Sequence, residues 1–166
     1  MRLSGMGDDT LRSIHFERTS TGKYLLHNQR GGTLAVGSSG ADDPDFTPVE
    51  LLLAAIGACS AIDVDVVTSR RSEPSEFRAV VSGDKVRDPE VGNRLENLKV
   101  EFTITFPEGE DGDKARGALA RAVKMSHDRL CTVSRTVEIG TPIAVDLNDG
   151  ELTISPAARP ADPSSD

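Results

Sequence analysis

The stretch Thr47-Pro48-Val49-Glu50-Leu51-Leu52-Leu53-Ala54-Ala55-Ile56-Gly57-Ala58-Cys59-Ser60-Ala61-Ile62 constrains this chain more than any other. Its start carries three helix signals at once. Thr47 is placed to be the N-cap and Pro48 takes the first helical position, where its missing N–H costs nothing. Glu50 stands three residues after the cap, so a capping box is expected, in which the Thr47 oxygen takes the Glu50 amide and the Glu50 carboxylate reaches back to the Thr47 amide. The helix that follows is apolar on every side and is expected to run to about Ser69, with Arg70, Arg71 and Pro74 ending it. A helix without a polar face has to be covered all round. One moderate sheet and one further helix cannot supply that cover from 166 residues, so a homodimer is expected.

The rest of the chain reads as strands around this helix. Arg12 to Thr19 and Lys23 to Gln29 form a hairpin through Ser20-Thr21-Gly22, and Thr33 to Val36 is a short third strand. Phe77 to Val86 and Leu95 to Phe106 follow the helix. The second of these alternates, with Leu98, Val100, Phe102, Ile104 and Phe106 on one face and Lys99, Glu101, Thr103 and Thr105 on the other. That pattern suits an antiparallel sheet with one wet face. Asp113 to Leu130 is expected as a second helix, with Ala115, Leu119, Ala122, Val123, Ser126 and Leu130 on its inner side. Thr136 to Leu147 and Glu151 to Ile154 are expected as closing strands, joined by Asn148-Asp149-Gly150. This order gives a single α+β domain over residues 11–155, with disordered tails at 1–10 and 156–166.

Composition excludes several functions. The net charge is −8, from 19 basic and 27 acidic residues, whereas a protein that binds nucleic acid needs a basic face. The same sign opposes attraction to anionic membrane surfaces. No uninterrupted apolar run reaches the about 20 residues that span a bilayer, and Met1 to Thr10 lacks an apolar signal core, so a cytoplasmic protein is expected. Cys59 and Cys131 are the only cysteines, and the three histidines, His15, His27 and His127, are scattered. No metal-ligand spacing, glycine-rich phosphate loop or serine-hydrolase elbow is present, so neither a metal nor a cofactor is called for.

In a reducing compartment two cysteines either pack as small hydrophobes or do redox chemistry. Reducing a peroxide takes a thiolate, a nearby cation to stabilise it, and a second thiol that condenses with the sulfenic acid before over-oxidation. Cys59, Cys131 and one arginine would suffice. On the residues alone, both readings stay open.

The segment Thr47 to Cys59 resembles the Pro-x-Glu-Leu-Leu-Leu-Ala-Ala-x-x-x-Cys helix of the osmotically inducible protein C and organic hydroperoxide resistance family. The segment Ser126-His127-Asp128-Arg129-Leu130-Cys131-Thr132-Val133-Ser134 resembles its second motif, a Cys-x-x-Ser at a helix end. The resemblance implies an OsmC-like α+β fold, with two main helices packed against curved antiparallel sheets. It also implies an intertwined homodimer with active sites at the subunit interface. Cys59 would be the peroxidatic thiol and Cys131 the resolving thiol, regenerated by a dithiol such as lipoamide.

The chain departs from that pattern at three places. Family peroxidases carry Glu directly after the helix-opening Pro, paired with an upstream Arg, but here that position is Val49. Glu50 lies nine residues before Cys59, about 180° round the helix at 100° per residue, so it either caps the helix or meets a cysteine of the other subunit. Arg30, beside Gly31-Gly32, and Arg18 are the candidate upstream cations, and each also reads as a solvated strand-end charge. The Pro usual after the second Cys is Thr132. An alternative on the same fold is a non-catalytic stress protein that holds a small hydrophobic ligand at the dimer interface. Cys131, at a helix C-terminus, is expected to be raised in pKa by the helix dipole. Asp63, one turn after Cys59, is expected to oppose a thiolate there if it faces the same way. Arg129 and Arg135 could offset these effects, and His127 could carry a proton or simply pack.

Overall fold

The computed structural model describes residues 10–38, 40, 42–148 and 152–154. It is an α+β chain of three α-helices and seven strands in three antiparallel sheets among the described residues. These residues form two compact units, one ending at Leu52 and the other beginning at Leu53. Apart from Thr10, the tails expected to be disordered lie outside the described residues.

The first unit is built on the strands β1 (Ile14–Ser20), β2 (Lys23–Asn28) and β3 (Thr33–Val36), in that spatial order. Gly22, at φ +71°, makes the first turn in a backbone region that L side chains rarely adopt. Asn28 organises the second turn, its side-chain oxygen accepting the amides of Arg30 and Gly32 at 2.9 Å each. Residues 37–46 return along β3 through one parallel bridge, Val36 to Phe46. Lys23 ties that return in place with ion pairs to Asp43 at 3.1 Å and Asp45 at 3.4 Å.

Helix α1 (Pro48–Thr68) opens with the expected capping box. The Thr47 amide donates to Glu50 Oε2 at 2.8 Å, and the Glu50 amide donates to Thr47 Oγ1 at 3.3 Å. By length and composition α1 could cross a membrane, which corrects the expectation that nothing in the chain reaches that length. It carries Asp63 and Asp65, and Ile56, Gly57, Ser60, Val64 and Thr68 are buried against protein.

In the second unit, β4 (Glu76–Val86) and β5 (Arg94–Thr105) pair antiparallel, with a bulge at Gly83. Val100, Phe102 and Ile104 turn inward while Glu101, Thr103 and Thr105 stay exposed, so the expected alternation holds over that stretch. Phe77 and Phe102 meet edge to face at 6.1 Å. Gly57 is where α1 crosses this sheet: a Cβ there would stand 2.6 Å from Val81 Cγ2.

Helix α2 (Glu110–Met125) begins three residues earlier than expected, with Glu110, Asp111 and Asp113 in its first turn where the dipole favours acids. It does not stay α-helical to Leu130. Residues Ser126–Leu130 form a single π-helical turn, an irregularity frequent at functional sites. Leu130, expected inside, is 46% exposed.

The largest correction follows Cys131. Thr136 to Leu147 was expected as a strand. Instead α3 (Thr132–Glu138) occupies its start, and only β6 (Val145–Leu147) is extended, paired with β7 (Leu152–Ile154). The β-branched residues Thr136, Val137 and Ile139 suit a strand, but local hydrogen bonds decide otherwise. The Cys131 sulfur accepts the Ser134 amide as an N-cap, and Thr136 Oγ1 donates back to the Thr132 carbonyl at 2.8 Å. Residues 149–151, which hold the rest of the expected hairpin turn, lie outside the described residues.

Candidate active site

The two cysteines, 72 positions apart, are brought together by α1 and the junction between the π-turn and α3. Cys59 is half-buried in α1, whereas Cys131 is fully buried; both are free thiols. Each thiol acts on the other's ionisation. Cys131 Sγ also bonds Ser134 Oγ at 3.1 Å, accepts the Ser134 amide at 3.4 Å, and accepts Ser60 Oγ at 3.6 Å. The Val133 amide, one residue back, favours the charged form of Cys59.

These surroundings treat the two thiols oppositely. Burial pushes the Cys59 thiol up; the Val133 amide acts against this, while Cys131 and Asp63 add to it. Burial also pushes the Cys131 thiol up, but there the influence of Ser134, Cys59 and Ser60 outweighs it and holds the group below the ordinary thiol range. The expected dipole effect is overturned, because Cys131 is also the N-cap of the next helix and accepts its amide. Asp63 acts on Cys59 in the expected sense, and its carboxylate is fixed by Ser126 Oγ at 2.9 Å. The Ser134 hydroxyl is the strongest of the groups that lower Cys131, with the Ser60 hydroxyl among the others. Arg135 is engaged by Glu138 at 2.9 Å, and Arg129 acts on Asp128.

Glu50, Arg18 and Arg30 all lie in the first unit, each with a local partner. Glu50 is spent on the capping box, and its two bonds from Thr47 hold its carboxyl below the usual range. Arg18 Nη2 donates to Thr21 Oγ1 at 3.1 Å. Arg30 stands in the turn after β2, its amide on Asn28.

A cavity of about 290 Å³ lies inside the second unit, reached from Cys131 through Ser60 and Ser134, which line it. Val64, Phe102 and Val137 make it apolar, Ser60 and Ser134 form the wall next to Cys131, and His127 and Glu138, 3.6 Å apart, add a polar edge. Sequence reasoning did not single out Ser60, Val133 or the Asp63–Ser126 bond. The spacing of Cys131 and Ser134 is that of a capping residue and the amide it accepts, and it was the one available signal for this arrangement.

The model of OsmC-like proteins matches residues 40–146, which include both cysteines and α1. The chain belongs to the OsmC-like family. An uncharacterized protein of Mycobacterium tuberculosis is 33% identical over 141 residues, 84% of this chain and 98% of that protein. A hypothetical protein from Aquifex aeolicus has a similar structure, with a TM-score of 0.60 and 25% identity over 79% of this chain and 89% of that one. An organic hydroperoxide resistance protein OsmC from Legionella pneumophila shares the OsmC-like fold, with a TM-score of 0.55 and 15% identity over 79% of this chain and 91% of that one.

Proposed function

We propose that this chain is a thiol-dependent reductase of organic hydroperoxides, acting in oxidative-stress defence in the cytoplasm as a homodimer. The observation that carries the reading is that Cys131 packs against α1, its sulfur 3.6 Å from the hydroxyl of Ser60, the residue after Cys59. A half-exposed thiol meets the oxidant, and a buried one waits beside it to close a disulfide. Cys59 attacks the terminal peroxide oxygen, an alcohol leaves, and Cys131 resolves the sulfenic acid. A dithiol such as lipoamide restores the pair. The hydroperoxide resistance protein with the same fold supports the substrate class, and an apolar cavity lined by Ser60 and Ser134, the residues that bond Cys131, suits an organic peroxide better than a purely aqueous one. Arg30 or Arg18 is the candidate cation for Cys59, and Glu50 serves α1 as its cap.

The homodimer is supported by apolar surface that one chain leaves open. Phe16 in the first unit is 65% exposed and Ile62 in the second 63%, apolar surface that a second copy would cover.

One equivalent of tert-butyl hydroperoxide should remove both titratable thiols and produce a Cys59–Cys131 disulfide, seen by intact mass under non-reducing conditions. Cys59→Ser should abolish this. The second reading, a non-catalytic binder of a small hydrophobic molecule, draws on the same cavity. It requires that the thiols survive stoichiometric peroxide, and their retention would overturn the reductase.

A further inference from the structure

A sulfenic acid on Cys59 has two fates: a second thiol closes it to a disulfide, or a second peroxide oxidises it to the sulfinic acid, which a thiol does not restore. Which one wins depends on where the Cys131 sulfur stands when the sulfenic acid forms. Three bonds fix that sulfur. Ser60 Oγ of α1 donates to it at 3.6 Å, the Ser134 amide donates to it at 3.4 Å, and its own S–H donates to Ser134 Oγ at 3.1 Å. The backbone is held as well. The Cys131 amide donates to the Ser126 carbonyl across the π-turn at 3.0 Å, and the Cys131 carbonyl accepts the Arg135 amide at 3.0 Å. Ser126, which opens that turn, donates from its hydroxyl to Asp63 Oδ2 at 2.9 Å. Ser60 and Asp63 are three apart on α1 and share one face, so the residues on either side of the π-turn are tied to that face.

We propose that Ser60 and Ser134 are positioning residues for the resolving step: they hold the Cys131 sulfur against α1, so that the sulfenic acid on Cys59 closes to a disulfide before a second peroxide reaches it. This role rests on the reductase reading above. In the first step the Cys59 sulfur bonds to the terminal peroxide oxygen and the O–O bond breaks. The thiol proton goes to solvent, and the departing alkoxide takes one up to leave as the alcohol. In the second step the Cys131 sulfur bonds to the Cys59 sulfur and the S–O bond breaks. The Cys131 proton and the hydroxide leave as water. The two sulfurs together lose two electrons, and the peroxide gains them. In the competing path the sulfenic acid takes an oxygen from a second peroxide, a second alcohol leaves, and Cys131 is unused.

The direction of the bonds gives the serines separate tasks. The Ser60 hydroxyl donates, so a sulfur lone pair faces α1, the helix that carries Cys59. The Ser134 oxygen accepts, so the S–H is turned to α3. The sulfur thus presents its nucleophilic side to α1 and its proton to the other side. Ser60 is not bonded in the way usual for a buried hydroxyl in a helix, which donates to the carbonyl one turn back. Thr68 of the same helix does that, to Val64 at 3.0 Å. Ser60 turns to Cys131 instead.

The test follows free thiol, disulfide and sulfinic acid in the full chain by intact mass, across a series of tert-butyl hydroperoxide concentrations. Iodoacetamide labelling reports the initial loss of the Cys59 thiol. Ser60→Ala and Ser134→Ala should leave that initial loss unchanged and slow disulfide closure by roughly two- to tenfold, the worth of one hydrogen bond. The peroxide concentration at which half of Cys59 becomes sulfinic acid should fall by the same factor. Damage to the fold alone would move the first step together with the second. Ser134→Thr, which keeps a hydroxyl, should stay near the wild type. Wild-type closure in both alanine variants, or a Ser134→Thr protein as impaired as Ser134→Ala, would overturn the positioning role. Diamide separates this role from the reductase reading, because it closes a disulfide without peroxide: Cys59 adds to its N=N bond and Cys131 displaces the hydrazine. If peroxide leaves the wild-type thiols intact while diamide closes the disulfide, and closes it more slowly in the alanine variants, the reductase reading alone is wrong. If peroxide closes the disulfide equally fast in wild type and both alanine variants, the positioning role alone is wrong.

Discussion

Asp63 sits one turn after Cys59, with its carboxylate fixed by the Ser126 hydroxyl. A negative charge held there opposes a second one on the sulfur. Asp63→Asn removes the charge and keeps the shape. The alkylation profile of Cys59 should then move to lower pH, with a higher rate at neutral pH. Glu50 gives a different pH signature. Its carboxyl is lower in the folded protein than in the unfolded chain because Thr47 donates to the charged form. The stability it contributes is therefore present above its unfolded pKa of about 4.3. That contribution is lost as pH falls through the lower folded value. Urea melts of wild type and Glu50→Gln should differ near neutral pH, with the wild type more stable, and should converge as the solution is acidified through that window. Removing the other half of the box, Thr47→Ala, should cost about 1 kcal/mol.

Two glycines of α2 show how much an element's surroundings decide. Gly117 is exposed, and a Cβ there would have nothing within 4 Å. Gly117→Ala should therefore stabilise by about 0.5–1 kcal/mol through helix propensity alone. Gly112 is buried, and its added Cβ would run into the carbonyl oxygen of Pro107, which is backbone and cannot swing aside. Gly112→Ala should destabilise by about 1–3 kcal/mol despite the same gain in propensity. Thermal melts of the two variants should shift in opposite directions. That contrast is invisible in the sequence, where Gly112 falls just before the expected helix and Gly117 within it. α1, by comparison, could be read with its cap, first residue and last turn, because all its signals are local. The three-stranded meander was legible for the same reason, through Gly22 and the turn after Asn28. α3 was not, because its cap is a sulfur and its β-branched residues carry a strand signature. In the site, the pairing of Cys59 with Cys131 could be argued from the motifs. The serines that tune the pair could not, since Ser60 and Ser134 gain meaning only when α1 and α3 meet at Cys131.

At the scale of the molecule, exposed apolar side chains occur in both units. Ile14 and Phe16 stand out on β1, and Ile62 and Val66 on α1. Stacking two copies so that these surfaces are dry is the expected solution, so the chain should sediment at twice its 17.7 kDa mass. Ile62→Asp and Val66→Asp together place charges on the open side of α1, each costly to bury without a partner. They should shift the protein toward monomer at micromolar concentration in sedimentation velocity. The cysteine chemistry should respond differently, because both sulfurs belong to one chain and Cys131 is bonded within it to Ser60, the residue after Cys59. Peroxide should therefore give an intrachain disulfide in the dimer and in the dissociated variant alike. On a denaturing, non-reducing gel the oxidised protein should run at single-chain mass and not as a crosslinked pair. A crosslinked dimer as the main product would show that the reacting sulfurs come from different copies, and that the pairing of Cys59 with Cys131 within one chain is not the one that carries the chemistry.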